Sequence, residues 1–158
     1  MEDKTIRFYS DVNESGMPFI KVREGDFKDI VFLLDTGSNY NVLFGHAYEH
    51  LKASLTKMDC QSDSFGIEGN VTSLPNVGGK LSICGKEYTT IFDVREDNTA
   101  IFILSKQVGF TISGIIGTQF MAEHDWTIDF KRQEIVIPAT DVTTSDLKTL
   151  YNKKKHNG

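Results

Sequence analysis

The stretch Val31 to Leu43, VFLLDTGSNYNVL, decides how this chain is read, because it ends an apolar run on a single carboxylate and then turns at once. Ile30 to Leu34 is a short apolar run suited to a strand buried on both faces, and an ionisable residue directly after it is costly to hold there. Asp35 therefore needs partners. Thr36 and Ser38 carry hydroxyls within reach of a carboxylate, and Gly37 lets the backbone turn tightly enough for its amide to face that carboxylate. Taken alone, the stretch reads equally well as a polar turn at a strand end.

A second segment, Ile112 to Ile137, ISGIIGTQFMAEHDWTIDFKRQEIVI, carries Gly114-Ile115-Ile116-Gly117, then a short helical stretch, then two strand-like runs. A hydrophobic-DTGS turn, followed about eighty residues later by hydrophobic-hydrophobic-Gly, a helix and a strand ending in IDF, resembles the retropepsin-like aspartic peptidases. That family includes the retroviral proteases and bacterial single-domain relatives. The resemblance covers Phe19 to Ile137. It implies an all-β, closed barrel with one or two short helices, in which Ile115, Ile116 and Gly117 cross the DTG strand in a ψ-shaped arrangement.

The resemblance also implies chemistry. Asp35, Thr36, Gly37 and Ser38 become the catalytic turn, and two identical carboxylates brought together share one proton and titrate as a unit. One acts as base on a water while the other donates to the scissile carbonyl oxygen. Thr36 is expected to bond across a dimer axis, and Ser38 to lie next to the carboxylate and lower its pKa. Ser64 to Gly79 is the flap candidate, with Gly66, Ile67, Glu68 and Gly69 at its centre, closing over an extended peptide.

With 158 residues, the chain is large enough for one domain and small for two catalytic lobes. Asp93, Asp97, Asp125, Asp129, Asp141 and Asp146 all lack a following Thr-Gly or Ser-Gly, so one DTG stands alone. The expected assembly is therefore a C2 homodimer with Asp35 contributed by each subunit. Residues 1–138 read as the peptidase domain and 139–158 as a tail, with Thr144-Ser145-Asp146 capping a short helix over Leu147 to Tyr151.

Net charge is -5, hydrophobic content 39% and Pro only 3, a composition pointing away from disorder, collagen-like repeats and nucleic-acid binding. No apolar stretch reaches membrane-spanning length, and MEDKTIRFYS lacks a secretory signal's basic start and apolar core. The chain as given is expected in the cytoplasm, or exported if a signal has been removed. Cys60 and Cys84 have neither metal-ligand nor redox spacing, and Cys84 is expected as a small buried residue in the strand KLSIC. No cofactor or metal is implied by the main reading.

Two rivals compete. His46-Ala47-Tyr48-Glu49-His50 fits H-x-x-E-H on a helix whose apolar face is Ala47, Tyr48, Leu51 and Leu55, so His46 and His50 would take zinc with Glu49 as base and Glu123 as a nominal third ligand. The solvated-helix reading of those residues is the simpler one. A dimeric peptide-binding scaffold of the same fold, catalytically silent, is the second rival. Trp126 reads as packing and Asp129 as a strand-end carboxylate, while His124 beside Asp125 lacks a nucleophile turn to serve. The remaining strands are expected at Thr5 to Tyr9, Phe19 to Val22, Lys28 to Leu34, Tyr40 to Leu43, Val71 to Leu74, Lys80 to Cys84, Tyr88 to Val94 and Ile101 to Leu104.

Overall fold

The computed structural model describes residues 2–65 and 71–141, with backbone only at 59–65 and 71–74. Strand β1 (Lys4–Arg7) leads through a one-turn helix α1 (Val12–Ser15), capped by Asp11 and ended by Gly16 at φ 79°, into β2 (Phe19–Lys21). A hairpin connection then delivers β3 (Val31–Asp35), antiparallel to β2 with Phe19 opposite Leu33. After the DTGS turn come β4 (Asn41–Phe44), helix α2 (Gly45–Leu51) and a 3-10 turn at Lys52–Ser54.

The long strands β5 (Thr56–Phe65), β6 (Val71–Ile83) and β7 (Lys86–Arg95) follow as an antiparallel meander. Helix α3 (Thr99–Val108) precedes β8 (Gly114–Gly117), which runs into α4 (Thr118–Glu123), β9 (Thr127–Asp129) and β10 (Glu134–Ile137).

The strands form two sheets, one ordered β1-β10-β9 and one ordered β2-β3-β8-β4-β7-β6-β5. The expected closed barrel is not what forms. β2 and β5 end the larger sheet, and β1, β10 and β9 pair only with one another. A single bridge between Glu24 and Ser82 draws the β2–β3 connection toward β6 without closing the sheet. The resemblance implied closure, but β8 lies between β3 and β4 in a seven-stranded sheet with two ends.

β8 is parallel to β3, with Phe32 opposite Gly114 and Asp35 opposite Gly117, and antiparallel to β4, with Val42 opposite Ile115. The ψ-shaped crossing is therefore present. Every residue of β8 is buried, so the all-apolar Gly-Ile-Ile-Gly composition suits a strand covered on both faces.

On one face lies the main core, where the rings of Phe27, Phe32 and Phe92 stack with centroids 5.2 to 6.2 Å apart. Tyr88, Phe120 and Trp126 extend it edge to face. The opposite face buries Phe19, Val31, Val42, Phe44, Ile112 and Ile115 beneath Ile101, Leu104 and Val108 of α3. Each large aromatic so buried contributes on the order of 2–3 kcal/mol of transfer free energy.

The expected strand at Ile101 to Leu104 is instead the middle of α3. Its apolar Ile-Phe-Ile-Leu run resembles a buried strand, yet Asn98 Oδ1 accepts the Ile101 N–H at 2.9 Å and Gly109 ends the helix at φ 86°. Ile101, Leu104 and Val108 then fall on one helical face, leaving Phe102 and Ile103 exposed. Val71 to Leu74 and Lys80 to Cys84 likewise merge into one strand, β6, which runs through Pro75.

Cys84 is not buried within that strand. Cys84 (φ 52°) and Gly85 (φ 76°) form the two-residue turn joining β6 to β7, the paired positive φ angles of a type I′ hairpin, and Cys84 is half-exposed. Burial and the nearby Glu24 still push its thiol pKa up.

Candidate active site

Asp35 ends β3, and the turn it begins satisfies the carboxylate locally: Gly37 N–H donates to Asp35 Oδ1 at 2.9 Å, and Ser38 N–H to the Asp35 carbonyl at 3.1 Å. Asp35 is partly buried, while Thr36 and Gly37 are exposed. An exposed DTG tip is open to contact. The Ser38 hydroxyl donates to the Tyr40 carbonyl at 2.8 Å. A hydroxyl carries one proton, so Ser38 braces the turn and does not donate to the carboxylate.

Three strand ends and one helix start converge on this turn. Thr118 N–H donates to Ser38 O at 2.7 Å and Gln119 N–H to Asn39 O at 3.2 Å, so the first amides of α4, which lack acceptors within their own helix, are taken up by the turn's carbonyls. Thr118 Oγ1 also donates to the Thr36 carbonyl at 2.5 Å. Gly117 permits this approach: a Cβ there would lie 2.5 Å from Tyr40 O and 2.8 Å from Ser38 O, too close for any side chain.

Ile115 and Ile116 point to opposite faces of the sheet, one into each core. They support the strand from within. Sequence reading missed Asn41 and Thr118, which bond to Gly117 and Thr36 respectively. A polar residue opening the apolar run NVLF is a signal for the first, though nothing in the sequence names its partner.

A cavity of about 400 Å³ adjoins the turn, lined by Thr36, Thr118, Met121, Trp126 and Ile128 among others. The flap candidates Gly66, Ile67, Glu68 and Gly69 lie outside the described residues. β5 and β6 flank them as an antiparallel pair, with Phe65 opposite Val71. The proposed tail helix also lies outside the described residues.

The H-x-x-E-H residues do not converge on one point. His46 Nδ1 lies 2.6 Å from Asp97 Oδ1 and its Nε2 3.2 Å from Ser113 Oγ, while Glu49 pairs with Lys52 at 2.8 Å. Both nitrogens of His46 are thus engaged within the chain. Among the described residues no three His, Cys, Asp or Glu side chains gather as metal ligands, and the zinc reading falls.

Asp97, His46 and Ser113 do form a Ser-His-Asp chain, and His46 and Asp97 border a second cavity of about 460 Å³ beneath α3. Ser113 is only 7% exposed and does not line that cavity, so its hydroxyl is not presented there as a nucleophile. The contact ties the start of α2 to the β7–α3 loop.

His124 pairs with Asp141 at 2.8 Å instead of with Asp125, and Tyr88 donates to the other Asp141 oxygen at 2.7 Å. Burial, and then this bond to Asp141, push the Tyr88 pKa up from its ordinary value. Asp129 accepts the Arg132 backbone N–H at 2.9 Å, and Trp126 is packed in the core.

No family model matches the chain, and no curated protein matches it. Among solved structures it is similar to a retropepsin-like aspartic protease from Rickettsia conorii, at 16% identity and a TM-score of 0.51, over 85% of this chain and 89% of that one. The retroviral protease-like domain of Ddi1 from Leishmania major aligns at 14% identity with a TM-score of 0.45, over 89% of this chain and 94% of that one. The chain therefore has a retropepsin-like fold of strands with few short helices.

Proposed function

We propose that the protein is an aspartic endopeptidase whose active site is assembled from two copies of Asp35, one from each subunit of a homodimer. The observation that carries this reading is the setting of Asp35: it ends a buried strand, opposite Gly117, with its carboxylate accepting the Gly37 N–H on an exposed DTG turn. A single such turn supplies half of the two-carboxylate machinery. Its exposure is what pairing with a second copy requires.

In the assembled pair, two carboxylates close together cannot both be charged, so they share a proton. The ionised member takes a proton from a water between them while the protonated member donates to the peptide carbonyl oxygen. A tetrahedral intermediate forms without covalent attachment to the enzyme; the proton taken from water passes to the amide nitrogen, and the C–N bond breaks as the amine leaves. An extended peptide would lie against the Asp35 turn beneath the β5–β6 hairpin, with apolar pockets from both subunits selecting side chains.

The test is cleavage of a broad peptide library by the parent protein and by Asp35→Asn, combined with sedimentation. Cleavage by a dimer, lost in the variant and blocked by a hydroxyl transition-state isostere such as pepstatin, is expected. A monomer that cleaves overturns the paired site. A dimer that binds peptides but leaves them intact, with or without the substitution, makes the protein a scaffold.

A further inference from the structure

Asn41 opens β4 with only 4% of its surface exposed, and burying a primary amide is costly unless both its ends are bonded. Both are. Oδ1 accepts the Gly117 N–H at 2.9 Å, and Nδ2 donates to Thr90 Oγ1 on β7 at 3.2 Å.

The place of the first bond gives it meaning. The β4–β8 ladder pairs Val42 with Ile115 and Leu43 with Gly114, and does not extend to Gly117. There the Asn41 side chain supplies the acceptor that the β4 backbone has ceased to offer. Gly117 is also the residue opposite Asp35, and it packs against the carbonyls of Ser38 and Tyr40 that close the catalytic turn.

We propose that Asn41 is a positioning residue for Asp35, locking Gly117 to β7 so that the turn bearing the carboxylate is held at a fixed depth beside β8. The proposal rests on Asp35 being the working carboxylate, yet its geometry is measurable without a substrate. Thr90 sits opposite Gly79 of β6, so the same amide links the turn to the strands that carry the β5–β6 hairpin.

Two variants separate positioning from simple packing. Asn41→Leu keeps the volume and removes both bonds, leaving the Gly117 N–H buried without an acceptor. Asn41→Asp keeps the acceptor for Gly117, and the Thr90 hydroxyl can rotate to donate.

The experiment follows Gly117 amide exchange by NMR in the full-length protein, then kcat and KM on any cleaved library peptide. In Asn41→Leu, Gly117 exchange should accelerate by about tenfold or more relative to Ile116, and kcat should fall with KM little changed. In Asn41→Asp, which keeps the acceptor, Gly117 should stay protected and kcat should stay closer to the parent value than in the leucine variant. Unchanged Gly117 protection in the leucine variant overturns the proposal. Should that variant fail to fold, loss of Gly117 protection in Asn41→Asp, which keeps the acceptor, overturns it instead. An Asp35→Asn protein that cleaves like the parent defeats the peptidase reading, leaving the exchange results to stand on their own.

Discussion

The two ends of β8 carry the same residue under the same kind of constraint, but they serve different parts of the molecule. At Gly114 a Cβ would strike the Phe32 ring at 2.7 Å, inside the aromatic core, as well as the Val42 carbonyl. At Gly117 it would strike only backbone, the carbonyls of the turn that presents Asp35. One glycine lets the core close and the other lets the site close. A four-residue strand thus joins the aromatic core at one end to the Asp35 turn at the other.

The largest expected effect sharpens the site end. Asp35→Asn should lower kcat/KM on a cleaved peptide by about 10²–10⁴-fold, the span associated with losing a positioned acid or base, while the thermal midpoint stays near the parent value. Next come the two glycines. Gly114→Ala and Gly117→Ala should each cost about 1–3 kcal/mol in denaturant titrations, since neither side chain has room. Only Gly117→Ala should also depress kcat under conditions where the protein remains folded. Equal losses of kcat in both variants would break the distinction between the ends.

A smaller effect tests the helix that covers the second core. Asn98→Ala removes the cap of α3 and should cost about 1 kcal/mol in urea unfolding, with cleavage unaffected. The smallest is at alkaline pH. The Tyr88 pKa is raised in the native state, so the folded protein keeps a proton that the unfolded chain gives up. Its stabilising contribution is complete below the unfolded value of about 10 and is lost as pH rises through the higher native value. Stability measured against pH should therefore fall less steeply above about 10 in Tyr88→Phe than in the parent.

The strand pairing around Asp35 was more legible in the sequence than the sheet that carries it. DTGS and Ile-Ile-Gly are short-range signals, and their pairing in the structure sets Asp35 opposite Gly117. What failed was long-range or ambiguous at short range. The Ile-Phe-Ile-Leu run suits a strand and a helix equally by composition, and the deciding signals were Asn98 before it and Gly109 after it. Cys84-Gly85 was read by its apolar neighbours, when Gly beside a small residue marked a tight turn. Closure of a barrel depends on whether the end strands meet, and no residue of β2 or β5 announces that. Asn41 is the sharpest case, because its partners lie 49 and 76 residues away along the chain.

The threading of β8 between β3 and β4 has a consequence for how the molecule comes into being. The meander β5–β6–β7 joins neighbours in sequence and is quick to form, whereas the β3–β8 pairing closes a loop of some eighty residues before any contact rewards it. The Asp35 turn is complete only when β8 pairs between β3 and β4. During refolding, sheet signal should thus return ahead of activity. A chain halted before residue 115 would hold the DTGS motif yet lack the strand that shapes it.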